Sequence, residues 1–152
     1  MVAEGEELPF IDRHSMEVAA RPGTTWAALN EVLIKSLGSR SSALVARGLG
    51  CAETDEPGVQ SLSEGATIPG FRVVTLEPWS QLTLAGEDRF SKYSMIFRLT
   101  TAGADGTDLS AETRAAFPGL KGSLFRSLVI GTRAHVLVVR RMLRAVKRQA
   151  EG

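Results

Sequence analysis

The chain has a single cysteine and no long apolar run, and these two absences exclude several classes of protein. Cys51 is the one thiol in 152 residues, so a disulfide framework is excluded and a cysteine-rich zinc site cannot be completed. No apolar stretch approaches the roughly 18 residues of a membrane span. The first eight residues are acidic, the opposite of the basic start of a signal peptide. We therefore expect a cytoplasmic protein without a transmembrane segment.

Basic residues are diluted by acids over most of the chain and concentrated at its end. Residues 113–152 carry nine Lys/Arg and a single acid, Glu151, whereas residues 1–112 carry nine Lys/Arg and 16 Asp/Glu. Such a segment is typical of a surface that meets phosphates or an anionic membrane, or of the solvated side of a helix. On the basic side of the last helix no aromatic residue interleaves with the cations, and no known nucleic-acid-binding module fits the sequence, so we expect no nucleic-acid partner. Peripheral membrane contact stays open.

The remaining composition is that of one globular domain. Of the 152 residues, 43% are hydrophobic and 23% are charged, which is enough apolar material to build one core. The acidic, proline-interrupted residues 1–10 are expected to form a flexible N-terminal arm. Residues 11–152 are expected to form a single domain.

In the first third of that domain, apolar and polar residues alternate and then recur at helical spacing. Residues 11–19 predict a strand whose inner face carries His14. Thr24 is the predicted N-cap of a short helix that stops before Gly38. Residues 39–70 are rich in Gly, Ser and Pro and predict a mostly irregular connection, with helical turns near its start.

The second half predicts a run of strands followed by one helix. Period-two segments at residues 71–77, 79–85, 89–101 and 107–116 are separated by turn residues, as in an antiparallel meander. Residues 120–149 contain no proline and predict one helix of about 30 residues. Together these elements predict an α+β domain in which a curved antiparallel sheet wraps around a long C-terminal helix.

Several segments of the chain resemble one superfamily in their order. The first is RPGTTWAAL at residues 21–29, after the opening strand. It is similar to a family pattern in which a strand is followed by Pro or Gly and then by "xxVWxxL" at the start of the first helix. The others are the strand pair at residues 79–84 and 90–99, PGLKG at 118–122, and the helix segment with RRML at 140–143. On these segments the chain resembles a bacterial branch of the SRPBCC superfamily. That superfamily shares the helix-grip fold of START-type lipid binders, pollen-allergen-like proteins and polyketide cyclase-like proteins.

The resemblance implies a hydrophobic ligand held between the sheet and the long helix. The candidate ligand-binding residues share predicted inward positions on these elements: His14, Trp26, Tyr93, Met95, Phe97, Leu128, His135, Val139 and Met142. Aromatic and methionine residues at buried periods are also what a plain core contains. Core packing therefore stands as the alternative for each apolar residue among them.

Three polar residues on these inward positions are the sharper signal. Burial of His14, Tyr93 or His135 would cost free energy unless the polar atoms of the side chain found hydrogen-bond partners. In a ligand cavity they could orient a carbonyl or hydroxyl group, or act as acid and base. Alternatively, each histidine bonds a backbone carbonyl and the tyrosine hydroxyl reaches solvent.

Metal and cofactor chemistry have less support. The acids considered for a metal site, Glu17, Glu77 and Glu112, fall on outward faces of the predicted strands, so we expect no metal. The segment GLGCAE at residues 48–53 lacks the third glycine of a phosphate-binding loop. We expect no cofactor.

Three hypotheses for function follow from these patterns. The first is binding of a lipid, polyketide or isoprenoid-like molecule in the cavity. The second is an enzyme of the cyclase or dehydratase type that uses the cavity His and Tyr as acid and base. The third is an interaction protein that uses the basic face of the last helix, including Arg133, Arg140 and Arg144. Either a monomer or a homodimer is compatible with each.

Overall fold

One antiparallel sheet and three helices are present in the part of the chain that the structure describes. The structure is a computed structural model and describes residues 8–37, 62–68, 70–87, 91–117, 119–129 and 133–152. Within these ranges the strands are β1 (Phe10–Val18), β2 (Thr67–Ile68), β3 (Phe71–Glu77), β4 (Gln81–Glu87), β5 (Lys92–Ala102) and β6 (Gly106–Ala116). The helices are α1 (Pro22–Leu37), α2 (Gly119–Val129) and α3 (Ala134–Glu151).

The described strands form one curved sheet in the order β1-β6-β5-β4-β3-β2, and every pair is antiparallel. Helix α3 packs against α1 and β1, and α1 also contacts β5 and β6. The core therefore lies between one face of the sheet and these two helices. This arrangement confirms the predicted α+β helix-grip fold, with an early helix and a C-terminal helix on the sheet.

The chain joins the sheet from Leu8 onward. Leu8 is buried, and its carbonyl accepts a hydrogen bond from Arg114 Nη1 at 3.0 Å. The Pro9 carbonyl accepts one from the Ala115 amide, also at 3.0 Å. The last three residues of the predicted arm over residues 1–10 are thus tied to β6, and residues 1–7 lie outside the described ranges.

Helix α1 begins two residues before the predicted N-cap. Pro22 is its first residue, and the Thr25 amide already donates to the Arg21 carbonyl at 2.9 Å. Thr24 therefore lies in the first turn, and its prediction as the N-cap was wrong. The reason is that the fixed φ of proline suits the first helical position, where no amide hydrogen is needed.

The predicted irregular connection contains a short strand. β2 pairs with β3 and buries Ile68 completely, but two residues are too few to produce a readable alternation. The helical turns predicted near the start of this connection, and Cys51, fall in residues 38–61, outside the described ranges.

The predicted single C-terminal helix is two helices. Helix α2 ends at Val129 and α3 starts at Ala134, after Arg133, which has a left-handed backbone with φ of 58°. A residue in this conformation cannot continue a right-handed helix. Gly131 and the β-branched Thr132 just before it are weak helix formers, and they were the sequence signal for a break.

Most strand limits differ from the predicted ones by one to three residues. β3 matches its predicted range, whereas β4 starts at Gln81 because Trp79 lies in the preceding turn, with φ of 68°. None of the helices in the described ranges is long and apolar enough to cross a membrane.

Glu112, on the outer face of the sheet, is paired with two arginines. Its carboxylate accepts hydrogen bonds from Arg114 Nε at 2.7 Å and from Arg98 Nη1 at 3.5 Å. Burial raises the pKa of Glu112. The hydrogen bond and charge of Arg114, together with those of Arg98, lower it by a larger amount, so the pKa is below its ordinary value. Because the folded pKa is the lower one, this pair stabilises the fold at neutral pH and loses its effect as the pH falls through the folded pKa.

We expect Glu112→Gln to lower the free energy of unfolding by about 1–2 kcal/mol at neutral pH. The difference from the parent should shrink in acid, and urea unfolding across that range measures it. The control is Glu77→Gln, which changes an exposed acid on β3. A Glu112→Gln deficit that stayed constant down to strongly acidic pH would contradict this account.

Candidate functional site

Asp12, His14 and His135 meet where β1 faces α3. His135 Nε2 is hydrogen-bonded to Asp12 Oδ2, and His14 Nε2 lies 3.5 Å from the same carboxylate oxygen. The three side chains are between 14% and 22% exposed. One histidine from β1 and one from α3 thus lie beside the carboxylate of Asp12 on the inner side of the sheet.

The alternation of β1 and a bulge at its start place the two strand residues. Asp12 and His14 are two positions apart and point to the same face, while Arg13 and Ser15 are exposed. The register shifts between Phe10 and Asp12, so that Asp12 lies opposite Thr113 on β6. Such bulges re-aim side chains and are frequent beside functional sites.

The helical period of α3 places His135 on the sheet-facing side. Val139, Met142 and Val146 follow it at intervals of four, three and four residues, and all three are buried in the core. Residues at this spacing share one face of a helix. His135 is therefore the polar end of an otherwise apolar stripe.

Four polar atoms in this region are shielded from solvent and have no hydrogen-bond partner among the described residues. They are Asp12 Oδ1, His14 Nε2, Thr113 Oγ1 and His135 Nδ1. Because Thr113 lies directly opposite Asp12 on the inner face, all four belong to one group, here named the Asp12 cluster (Asp12, His14, Thr113 and His135). Buried polar groups normally have partners, so these four atoms are hydrogen-bonding positions that the described residues leave unfilled.

The surroundings of the Asp12 cluster are apolar. Thr113 is next to Met95 in the sheet register, and His14 is next to Ala111, which pairs in turn with Phe97. A few polar groups within an apolar wall are the usual composition of a small-molecule site. The arrangement can hold a hydrogen-bonding group of an otherwise apolar molecule.

The predicted apolar site residues lie in or beside this wall. Met95, Phe97, Val139 and Met142 are buried in the core cluster, and Trp26 packs on its edge. The side chain of Leu128 lies outside what the structure describes. Their contact with a ligand stays a prediction.

Tyr93 takes a different place from the histidines. Its hydroxyl donates to the Gly70 carbonyl at 2.5 Å, and its ring meets the Phe71 ring edge-on, with centroids 5.2 Å apart. These contacts turn it toward the β3 side of the sheet, whereas β1 is at the other edge. The hydroxyl therefore bonds a backbone carbonyl, not solvent, and the structure does not bring it together with His14 and His135.

Gly86 makes room for this tyrosine, and its substitution should be costly. A Cβ at position 86 would lie 2.7 Å from Tyr93 Cε2 and would also clash with the Gly70 carbonyl oxygen. We expect Gly86→Ala to lower the free energy of unfolding by about 2–3 kcal/mol, the usual effect of overpacking. Urea unfolding measures this loss.

The matched control is Gly23→Ala, because a Cβ there meets Trp79 at an ordinary 3.7 Å within helix α1. It should leave stability within about 1 kcal/mol of the parent or raise it. Equal losses in the two variants would show that the contacts of Gly86 are not what matters.

Sequence reasoning missed Asp12 and did not single out Thr113 as a site residue. Glu112, one of the acids considered there, points outward as expected and is paired with arginines. The overlooked signal was an acid at position 12, two residues before His14 on the same inner face. In the described ranges, no group of His, Cys, Asp or Glu side chains is arranged to hold a metal ion.

Comparison with known proteins identifies the class of fold. No protein-family model matches the chain, and no curated protein matches it in sequence. A truncated norcoclaurine synthase from Thalictrum flavum has a TM-score of 0.55 at 12% identity, with 94% of this chain and 96% of that chain covered. The Zhui aromatase/cyclase from Streptomyces sp. R1128 has a TM-score of 0.54 at 18% identity, over 95% and 94% of the two chains.

The crystal structure of the Mll3558 protein from Rhizobium loti has a TM-score of 0.55 at 14% identity, over 91% of this chain and 94% of that chain. These likenesses extend along nearly the whole length of each protein. The chain therefore has the helix-grip fold that these solved structures share.

Proposed function

We propose that this protein binds a hydrophobic or amphipathic small molecule, of a lipid, polyketide or isoprenoid-like class, between the sheet and helix α3. The Asp12 cluster holds the polar group of that molecule. The observation that carries the proposal is the set of four buried, unpartnered polar atoms on an apolar inner face. In a core that only packs, these atoms would be unfavourable, since each unpaired buried polar atom lowers the stability of the fold.

The chemistry of the cluster defines the ligand group that it suits. The carboxylate oxygen Asp12 Oδ1 accepts a hydrogen bond from a hydroxyl or a protonated amine. The free ring nitrogens of His14 and His135 accept when the rings are neutral and donate to a carbonyl when they are protonated. An apolar molecule that carries a hydroxyl and a carbonyl close together satisfies most of these atoms at once.

The second candidate is an enzyme of the cyclase or dehydratase type. It is favoured by the hydrogen bond from His135 Nε2 to Asp12, because a carboxylate that orients an imidazole and balances its positive charge is the arrangement of general acid–base catalysis. A ring nitrogen would take a proton from the carbon beside a carbonyl and return it to the leaving hydroxyl. The fold shared with an aromatase/cyclase and a norcoclaurine synthase supports this candidate.

Native mass spectrometry of the protein purified from its own host, followed by denaturing extraction, tests the proposed binding. We expect a stoichiometric, largely apolar molecule with at least one hydroxyl or carbonyl group. Turnover would show as a second compound that differs from the first by the loss of one water. A protein that emerges empty and fails to take up any compound from a host lipid extract would contradict the proposal.

Substitution of His135 then separates the roles. His135→Leu keeps the apolar contacts of the helix but removes the polar partner of Asp12. We expect weaker binding of the extracted molecule and no turnover, while Ser15→Ala on the outer face of β1 changes neither. A folded His135→Leu protein with unchanged affinity would show that the histidine is not part of the binding site.

A further inference from the structure

The outward side of α3 carries a second feature that ligand binding does not use. Five exposed residues, Leu137, Val138, Arg141, Arg144 and Arg148, are here named the α3 outer face. At 100° per residue they fall within one arc of about 120°, centred on the side opposite the buried Val139, Leu143 and Val146. From Leu137 to Arg148 this face is about 16 Å long.

The three arginines of this face have no ion-pair partner among the described residues. By contrast, the neighbouring Lys147 is paired with Glu151 at 2.5 Å and donates to the Glu17 carbonyl at 3.0 Å. Arg141, Arg144 and Arg148 also line one open depression of about 400 Å³, together with the Lys147–Glu151 pair. Three free guanidinium groups in a row form a site for several phosphate groups at once.

The aliphatic residues indicate what kind of phosphate-bearing partner fits. Leu137 and Val138 are 52% and 54% exposed, and both lie at the N-terminal end of the α3 outer face. They would gain nothing from the phosphates of a nucleic acid. In a membrane interface, however, aliphatic side chains enter the acyl boundary while arginines meet the anionic headgroups.

We propose that the α3 outer face docks the protein on an anionic phospholipid membrane. The helix would lie flat, because its other side is fixed to β1 and α1. This proposal does not rest on ligand binding, since His135 and the Asp12 cluster are on the opposite side of α3. Its failure would leave the proposed function untouched.

Co-sedimentation with vesicles of phosphatidylcholine containing one quarter phosphatidylglycerol tests the docking. At about 0.1 M salt the parent should bind these vesicles and not pure phosphatidylcholine, and high salt should release it. The triple variant R141Q/R144Q/R148Q should bind about a hundredfold more weakly, since each cation near such a surface contributes about fivefold. The control R13Q/R21Q/K35Q loses the same charge from exposed positions elsewhere and should bind within about threefold of the parent.

A second variant separates the membrane from other partners. L137Q/V138Q should bind vesicles about tenfold more weakly, because it loses the apolar contribution alone. Circular dichroism confirms that each variant is folded. The proposal is overturned if the parent does not sediment with anionic vesicles, or if the control loses as much binding as the triple variant.

Two further results would assign the face to another occupant and overturn the proposal. One is tighter binding of the parent to a random DNA duplex than to vesicles, with L137Q/V138Q unaffected. The other is a dimer in solution that L137Q/V138Q converts to a monomer.

Discussion

Asp12→Asn is expected to weaken binding of the extracted ligand by about thirtyfold. Asn has nearly the same size, but its neutral amide replaces the charged group that accepts the hydrogen bond of His135 and lies 3.5 Å from His14 Nε2. Hydrogen bonds to charged groups contribute about 2 kcal/mol, which corresponds to that loss in affinity. Isothermal titration with the ligand recovered by extraction measures the effect.

The control for this prediction is Glu17→Gln on the same strand. Glu17 is exposed, so the variant removes an equal charge from the opposite face of β1 and should change affinity by less than about threefold. If Asp12→Asn is folded and binds the ligand as the parent does, the carboxylate does not hold the ligand and the proposed site is wrong.

Phe97→Ala is expected to lower the free energy of unfolding by about 3–5 kcal/mol. Phe97 is 1% exposed at the middle of β5, with Leu82 beside it on β4 and Ala111 beside it on β6. Removing its ring leaves a cavity that these neighbours cannot fill. Urea unfolding measures the loss, and Phe97→Leu should recover most of it.

The same variant distinguishes core from ligand contact for one predicted site residue. Leu124→Ala is the control, because Leu124 is 73% exposed on α2 and its truncation should cost less than about 0.5 kcal/mol. A stability loss as small as this control, together with altered ligand binding, would assign Phe97 to the cavity wall and not to the core.

The two histidines could be placed from the sequence because each belongs to a strictly periodic element. Alternation over β1 predicts an inward His14, and the helical period predicts an inward His135. The break at Arg133 divides the predicted helix but leaves the period within α3 unchanged. Both side chains therefore reach the same side of the sheet as expected.

The partnership of these histidines could not be predicted from the sequence. It depends on tertiary packing, because α3 packs against β1, which is an edge strand and pairs with β6, the last strand in the chain order of the described sheet. Periodicity reports which way a side chain points and contains no information about which strands are neighbours. The register shift before Asp12 is likewise set by pairing with β6.

Tyr93 shows that an inward position predicted from the sequence does not establish which residues the side chain contacts. Its inward position was predicted correctly, yet its hydroxyl is occupied by Gly70, a residue 23 positions away. Only the pairing of β3, β4 and β5 and the small size of Gly86 bring these two residues together. A shared face in the sequence is therefore a weaker statement than a shared site.

The central claim is that the Asp12 cluster holds the polar group of the ligand, and the side-chain nitrogens of the two histidines test it most directly. The chain contains only two histidines, so a nitrogen-15 NMR spectrum of the imidazole rings reports on His14 and His135 alone. On titration with the extracted ligand, we predict that the ring signals of both histidines shift in step with binding. Binding that leaves both sets of signals unchanged would contradict the claim and place the ligand elsewhere.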